Sequence, residues 1–250
     1  EYSKLEGLVA VCEKSGVHTK FAPDYNNIIP TKPYTEDLDG IPVIHVRHVP
    51  LSSSYNIVLK RAVDIFGATV ALILFAIPMI ITAIIVKVTS PGPLIFKQKR
   101  VGLHNREFDM YKFRSMKVNA PDIRLKDGST YNGDDDPRVT KLGRFIRKTS
   151  LDEIPQILNV LKGDMSLIGP RPDPLDWLDK YKEEEKVFLN VRPGITGYNQ
   201  AYYRNSADAQ EKIDNDVYYA KNISFALDVK IILKTIKTVL YRENVNVTRE

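Results

Sequence analysis

IFGATVALILFAIPMIITAIIV, residues 65–86, carries no charged side chain and is long enough to cross the hydrocarbon core of a bilayer. Soluble helices rarely sustain so long an apolar run, so insertion into a membrane is expected ahead of burial in a protein core. Pro78 lies in the middle, where it deletes one backbone hydrogen bond and bends a helix. Basic residues flank both ends, Lys60 and Arg61 before and Lys87, Lys97, Lys99 and Arg100 after. Positive charge favours the cytoplasmic side, and a straight crossing would leave one cluster outside. A segment that enters and leaves by the same face keeps both inside. A re-entrant hairpin is therefore preferred, although true spans also tolerate proline and the straight crossing stays open.

The 250-residue chain is 27% charged, which excludes a protein lying wholly within lipid. Its formal charge of +5 points to anionic company: nucleic acid, anionic lipid or a phosphorylated substrate. A single cysteine, Cys12, cannot form an internal disulfide. The chain opens on Glu1 without a secretory pattern, which suggests a piece of a longer protein whose upstream part is missing.

Ahead of the apolar run, LEGLVAVCEKSG (5–16) reads as a helix ending at Gly16 and VHTKFAPD (17–24) as a strand. DLDGIPVIHVRH (37–48) reads as a turn and a further strand, and PLSSSYN (50–56) as a linker. His45 and His48, three apart on a strand, would face opposite ways, which disfavours a shared metal. After the run, SPGP (90–93) is a turn, and LIFKQKRV (94–101) and EFDMYKFRSM (107–116) bracket GLHNR as a hairpin. Lys112 and Arg114 then share one face, which reads equally well as solvated or as phosphate-facing.

NAPDIRLKDGSTYNGDDDP (119–137) is a polar loop whose Asp134, Asp135 and Asp136 are expected to be solvated rather than to bind metal. RVTKLGRFIRK (138–148) reads as a basic amphipathic helix suited to an anionic lipid surface. Nucleic acid is not an expected partner, because no nucleic-acid-binding motif accompanies the charge. In SFALDVKIILKTIKTVLYR (224–242), Phe225, Val229, Ile232, Ile236 and Val239 form one stripe, with Lys230, Lys234 and Lys237 off it. That stripe fits a membrane surface and a core-packed helix equally.

The chemistry concentrates in KTSLDEIPQILNVLKGDMSLIGPRP, residues 148–172. Ser150 and Glu153 have capping-box spacing, which starts a helix at Leu151. Pro155 fits better if Asp152 is the N-cap, because the proline then falls in the first turn, and this register is preferred. In either register Asp152 and Glu153 sit at a helix N-terminus, where the dipole favours their ionised forms. An ionised Asp can attack phosphorus, and an ionised Glu can hold a divalent cation. Arg171, braced between prolines, suits a bidentate grip on phosphate. The structural alternative is that the acids cap a helix and Arg171 pairs with one of them.

Six blocks in order, KRAVDIFGA (60–68), SPGPLIFKQKRVG (90–102), MYKFRSMK (110–117), RKTSLDEIPQILNVLKGDMSLIGPRP (147–172), VRPGITG (191–197) and DVYYAKNISFALDVKIILKT (216–235), resemble the bacterial sugar transferases. These are the monotopic polyprenol-phosphate phosphoglycosyl transferases that begin capsule, exopolysaccharide and lipopolysaccharide assembly. The resemblance implies an α/β (α+β) fold in three parts. Residues 1–50 would be the tail of a Rossmann-like α/β domain, and residues 51–90 a linker and re-entrant membrane helix bent at Pro78. Residues 91–250 would be a small cytoplasmic catalytic domain with a β-hairpin and amphipathic interfacial helices.

The implied reaction moves a sugar-1-phosphate from a UDP-sugar to undecaprenyl phosphate at the cytoplasmic face of the bacterial inner membrane, against anionic lipid. Self-association as a homo-oligomer is left open. By resemblance Asp152 would be the nucleophile and Glu153 would bind Mg2+. Lys112, Arg114, Arg147, Arg171 and Arg192 would bind substrate, with the Pro170-Arg171-Pro172 turn holding the nucleotide. Arg204 and Asn205 match a common Arg-Asn pair of the family. Two departures stand out. Ile77 precedes Pro78 where many members have Ser, and Tyr198, Asn199, Tyr202 and Tyr203 replace a tryptophan-and-glycine segment. A metal-dependent hydrolase of nucleotide-diphosphate sugars and a non-catalytic membrane scaffold are the competing readings.

Overall fold

The computed structural model describes residues 7, 11, 12, 34–38, 41–45, 54–89, 91–121, 123, 136–203 and 206–241. The chain divides into two compact units, Glu1–Val49 and Pro50–Glu250. In the first, Gly7, Val11 and Cys12 are helical, within the expected helix. Strands β1 (Tyr34–Leu38) and β2 (Ile41–His45) pair antiparallel, Tyr34 opposite His45. The sequence reading anticipated β2 but not β1. Asp39-Gly40, which separates them, is a pair that two-residue hairpins favour. The strand expected at 17–24, and His48, lie outside the described residues.

The second unit opens with helix α1, Ser54–Thr89, whose 36 residues contain the whole apolar run and Pro78. Only 11% of its most apolar window is buried, which rules out the core-helix reading within this structure. One stripe of α1 nonetheless packs on the rest of the unit. At its start Lys60 donates to Asp228 at 2.7 Å, and Arg61 donates to the carbonyls of Val160 and Leu161. Asp64 accepts from the Ser166 hydroxyl and the Leu167 amide. Further along, Ala68, Thr82 and Val86 are buried, while Phe66, Ile73, Leu74, Ile77, Ile80 and Ile84 on the other side are exposed.

Strands β3 (Ile95–Val101) and β4 (Glu107–Phe113) form the expected hairpin. Its corner is a 3-10 turn with His104 and Asn105 at positive φ. Strand β4 stops short of the anticipated Met116, which instead bridges to Val139. Helix α2, Lys141–Lys148, is capped by Thr140, whose side chain accepts from the Gly143 amide. Two expectations fail here. Arg138 is not on the helix, and Asp136 is fully buried rather than solvated. The Arg138 guanidinium forks onto both carboxylate oxygens of Asp136, at 2.9 and 2.8 Å, and this bidentate pair offsets the desolvation of both charges. Asp134 and Asp135 lie outside the described residues.

Helix α3 (Gln156–Lys162) ends at Gly163, whose φ of 102° closes the helix in the left-handed region. Strands β5 (Ser166–Ile168) and β6 (Gly194–Thr196) run parallel. Helices α4 (Tyr198–Tyr202), α5 (Ala209–Asn222, with an Asp208–Glu211 capping box) and α6 (Phe225–Tyr241) complete the unit. Tyr181, Phe188, Tyr219, Ile223 and Ile231 belong to one core, and Ala68, Met110, Ile157, Val160 and Met165 form another. Helix α6 buries Asp228, Ile231 and Thr238 and turns Phe225, Val229, Ile232 and Ile236 of the anticipated stripe outward, with Leu233 beside them.

Candidate active site

The acids do not begin an α-helix in either anticipated register, although Ser150 and Leu151 do stand at the N-cap and start of a 3-10 helix. Ser150, at φ 56° and making no side-chain cap bond, turns the chain into a single 3-10 turn, Leu151–Glu153, in which Glu153 N–H donates to the Ser150 carbonyl and Ile154 N–H to the Leu151 carbonyl. Pro155 stands at the N-cap of α3, so the α-helical ladder starts only at Gln156. Pro155 has no N–H to donate to the Leu151 carbonyl, so the α-helical ladder cannot reach back over the acids even though Ile154 is itself in the αR region.

The two neighbours meet different surroundings. Asp152 is 8% exposed. Burial, and next the adjacent Glu153 charge, push its carboxyl up to about 6 against the pull of Lys112 and Arg147. Desolvation thus outweighs the expected pull of the helix N-terminus on Asp152, and its carboxyl gives up its proton less readily than an ordinary aspartate. For Glu153 burial also opposes charge, but Arg171 and Lys112 outweigh it and hold the carboxylate far below its usual range. Lys112 Nζ and Arg171 Nη2 both donate to Glu153 Oε1, each at 2.8 Å.

Each cation is positioned by its own element. Asn159, fully buried in the middle of α3, accepts from the Tyr111 amide and donates to the Asp109 carbonyl. It pins β4 against α3 where Lys112 reaches Glu153. Arg171 is held through its backbone neighbours, for Gly194 N–H donates to the Pro170 carbonyl and Arg100 donates to the Pro172 carbonyl. Arg147, from the end of α2, donates through Nε to the Ser115 hydroxyl, and its charge acts on Asp152.

The structure therefore brings together Asp152, Glu153, Lys112, Arg147, Arg171 and the flanking Pro170 and Pro172. Arg114 lies beyond β4 and donates to the Pro91 carbonyl at the SPGP turn. Arg192 donates to the Gly163 carbonyl at the far end of α3 from the acids. Arg204 and Asn205 lie outside the described residues.

Three groups near the acids escaped the sequence reading. Arg100 is one. Its signal was present in the hairpin pairing, since Gln98 and Arg100 fall on the same face as Lys112. Asn159, a polar residue inside the apolar QILNVLK, is another. Asp173 is the third: it follows Pro172, accepts from the Tyr181 hydroxyl at 2.5 Å and binds Lys212.

No group of three metal-ligating side chains occurs among the described residues. Both cations on Glu153 use Oε1, and its second oxygen has no partner among the described residues. One free carboxylate oxygen beside a second acid suits Mg2+, which keeps its waters and shares the oxygens of a phosphorylated substrate. Chemically the site offers a buried carboxylate for attack beside a fixed anion and cations that neutralise phosphate.

A sequence profile described as bacterial sugar transferase matches residues 55–242. A UDP-N-acetylgalactosamine-undecaprenyl-phosphate N-acetylgalactosaminephosphotransferase of Aeromonas hydrophila is 47% identical over 188 residues, 73% of this chain and 44% of that protein. The UDP-glucose:undecaprenyl-phosphate glucose-1-phosphate transferase of Escherichia coli (strain K12) is 41% identical over 209 residues, covering 80% and 44%. The sugar transferase EpsL of Bacillus subtilis (strain 168), described as uncharacterized, is 42% identical over 191 residues, covering 76% and 92%. The alignments thus span less than half the length of the first two relatives.

Proposed function

The chain belongs to the bacterial sugar transferase family, and we propose that it transfers a sugar-1-phosphate from a UDP-sugar to undecaprenyl phosphate, the first step in building a capsule, exopolysaccharide or O-antigen glycan. The observation that carries this reading is the pairing of a buried, raised Asp152 with a Glu153 held charged by Lys112 and Arg171. The printed names of the Aeromonas and Escherichia relatives, which specify UDP-sugars and undecaprenyl phosphate, support the substrate classes.

In the first half-reaction a carboxylate oxygen of Asp152 attacks the sugar-bearing phosphorus. The bond from that phosphorus to the bridging oxygen breaks, and its electron pair leaves with UMP. In the second, a phosphate oxygen of undecaprenyl phosphate attacks the aspartyl-bound phosphorus, and the electron pair of the acyl–phosphate bond returns to Asp152. Dividing one difficult transfer in two predicts ping-pong kinetics. Anion meeting anion requires fixed positive charge, which Lys112, Arg147 and Arg171 supply without reorganisation. Mg2+, held by Glu153, would add charge neutralisation at the diphosphate.

Both ends of α1 support the re-entrant placement at the cytoplasmic face. Residues 60–64 bond to α3, β5 and α6, while Met79, Ala83 and Val86 pack with Phe113, Ile146 and Leu151. A helix crossing the bilayer would carry Lys60 and Val86 to opposite sides of it, whereas here both pack on one unit. The outward apolar stripe of α6 fits the same lipid surface.

Incubation with a panel of UDP-sugars, Mg2+ and undecaprenyl phosphate tests the reading through UMP release. Release that depends on the metal and disappears in Asp152→Asn is expected. Normal turnover by that variant would remove Asp152 from the chemistry.

A further inference from the structure

On the reading that the donor is a nucleoside diphosphate sugar, we propose that Arg100 and Arg171 together cradle the phosphate that departs with the nucleoside. Arg100 stands on β3 opposite Phe108, and Phe96 on the same strand stands opposite Lys112, so Arg100 shares the face from which Lys112 reaches Glu153. Its guanidinium is fixed in place, Nη1 donating to the Pro172 carbonyl at 3.2 Å and Nη2 to Gln98 Oε1 at 2.8 Å. The remaining donor, Nε–H, is buried and has no hydrogen-bond partner. A buried guanidinium N–H left unmatched is costly in a resting protein and useful where an anion completes it.

The charges nearby also call for an anion. Burial first, and then the neighbouring Arg171, bring the Arg100 pKa down to about 10. Lys112 and Arg171 already share one oxygen of Glu153. Asp173 is committed to Tyr181 and Lys212. Arg100 itself bonds to no carboxylate among the described residues, its two bonds going to the Pro172 carbonyl and the Gln98 amide.

The order of these groups assigns the phosphate. Glu153 adjoins Asp152, Arg171 donates to Glu153 Oε1, and Arg100 donates to the carbonyl of Pro172, the next residue after Arg171. These contacts run from Asp152 through Glu153 and Arg171 to Arg100. A diphosphate with its sugar-bearing phosphorus at Asp152 presents its second phosphate to Arg171 and Arg100. There two guanidinium groups meet the negative charge that builds on the bridging oxygen as it leaves.

Calorimetric titration of the full chain in detergent with UMP and, separately, with uridine tests this. Arg100→Gln is expected to weaken UMP binding at least tenfold and to leave uridine binding unchanged. The control is Lys99→Gln, which removes an exposed charge paired with Glu107 and should change neither. UMP affinity within twofold of wild type in Arg100→Gln overturns the proposal, as does an equal loss for UMP and uridine, which marks a merely structural role. If Arg100→Gln fails to fold, Arg100→Lys, which keeps the charge but lacks Nε, should weaken UMP binding several-fold, and no loss overturns the proposal. Failure of the wild type to bind UMP overturns it too. A wild type that binds UMP through Arg100 but transfers no sugar phosphate contradicts the proposed reaction instead.

Discussion

Asp152 and Glu153 are chemically near-identical neighbours that the fold drives apart, one towards its neutral form and the other firmly charged. In the proposed reaction Asp152 must be ionised to attack, so the rate of UMP release should fall as pH drops through about 6, well above an ordinary aspartate limb. A stopped assay from pH 5 to 8 checks this, and a limb near 4 would contradict the burial argument. The same burial makes charged Asp152 a cost to the folded state. Because its folded pKa lies above its unfolded value, the native protein binds the proton more tightly and gains stability as pH falls from 6 towards 4. Asp152→Asn should therefore be inactive yet more stable than wild type at pH 7.5, by about 2–3 kcal/mol, with the gap closing by pH 4. Melting curves at both pH values measure it. Glu153→Gln should act in the opposite sense. It takes from Lys112 and Arg171 the carboxylate that both bond and should cost about 3 kcal/mol along with activity.

At the scale of elements, helix α1 is joined to the unit by polar contacts as well as by apolar packing. The Lys60–Asp228 pair is buried, and Asp228 also accepts from the Tyr219 hydroxyl. Lys60→Met should destabilise the unit by about 3 kcal/mol, because Asp228 then loses its cation, and Lys60→Arg should recover part of that. Thermal unfolding in detergent reads the difference, and an unchanged midpoint would show the pair to be idle. This contact also marks where sequence reading stopped. Lys60 and Arg61 looked like charges flanking a lipid segment because periodicity shows which face a residue takes, not a partner 168 residues away. The hairpin, α1 and α6 were legible from alternation and helical spacing. The start of α3 was not, since capping spacing and Pro155 gave conflicting signals that a 3-10 turn resolved. Asp136 was misread because a run of acids looks solvated until Arg138 folds back onto it. Asp152 and Glu153 could be read as a reactive pair, whereas the burial that divides them is a property of the packed site.

For the whole molecule, the placement of α1 decides whether the site can serve a soluble donor and a lipid-borne acceptor from one surface. With Cys12 replaced by Ser, single cysteines at Tyr55 and Lys97, both at exposed positions, should be shielded from an impermeant reagent outside intact cells and react once the cells are opened. Labelling of either from outside would mean that α1 runs straight through. The most direct test of the account is isolation of the covalent species. Protein mixed briefly with UDP-sugar labelled in the sugar, without undecaprenyl phosphate, should carry the label on the peptide containing Asp152 and release it on addition of the lipid acceptor. Transfer at full rate with no label ever found on that side chain would contradict the account.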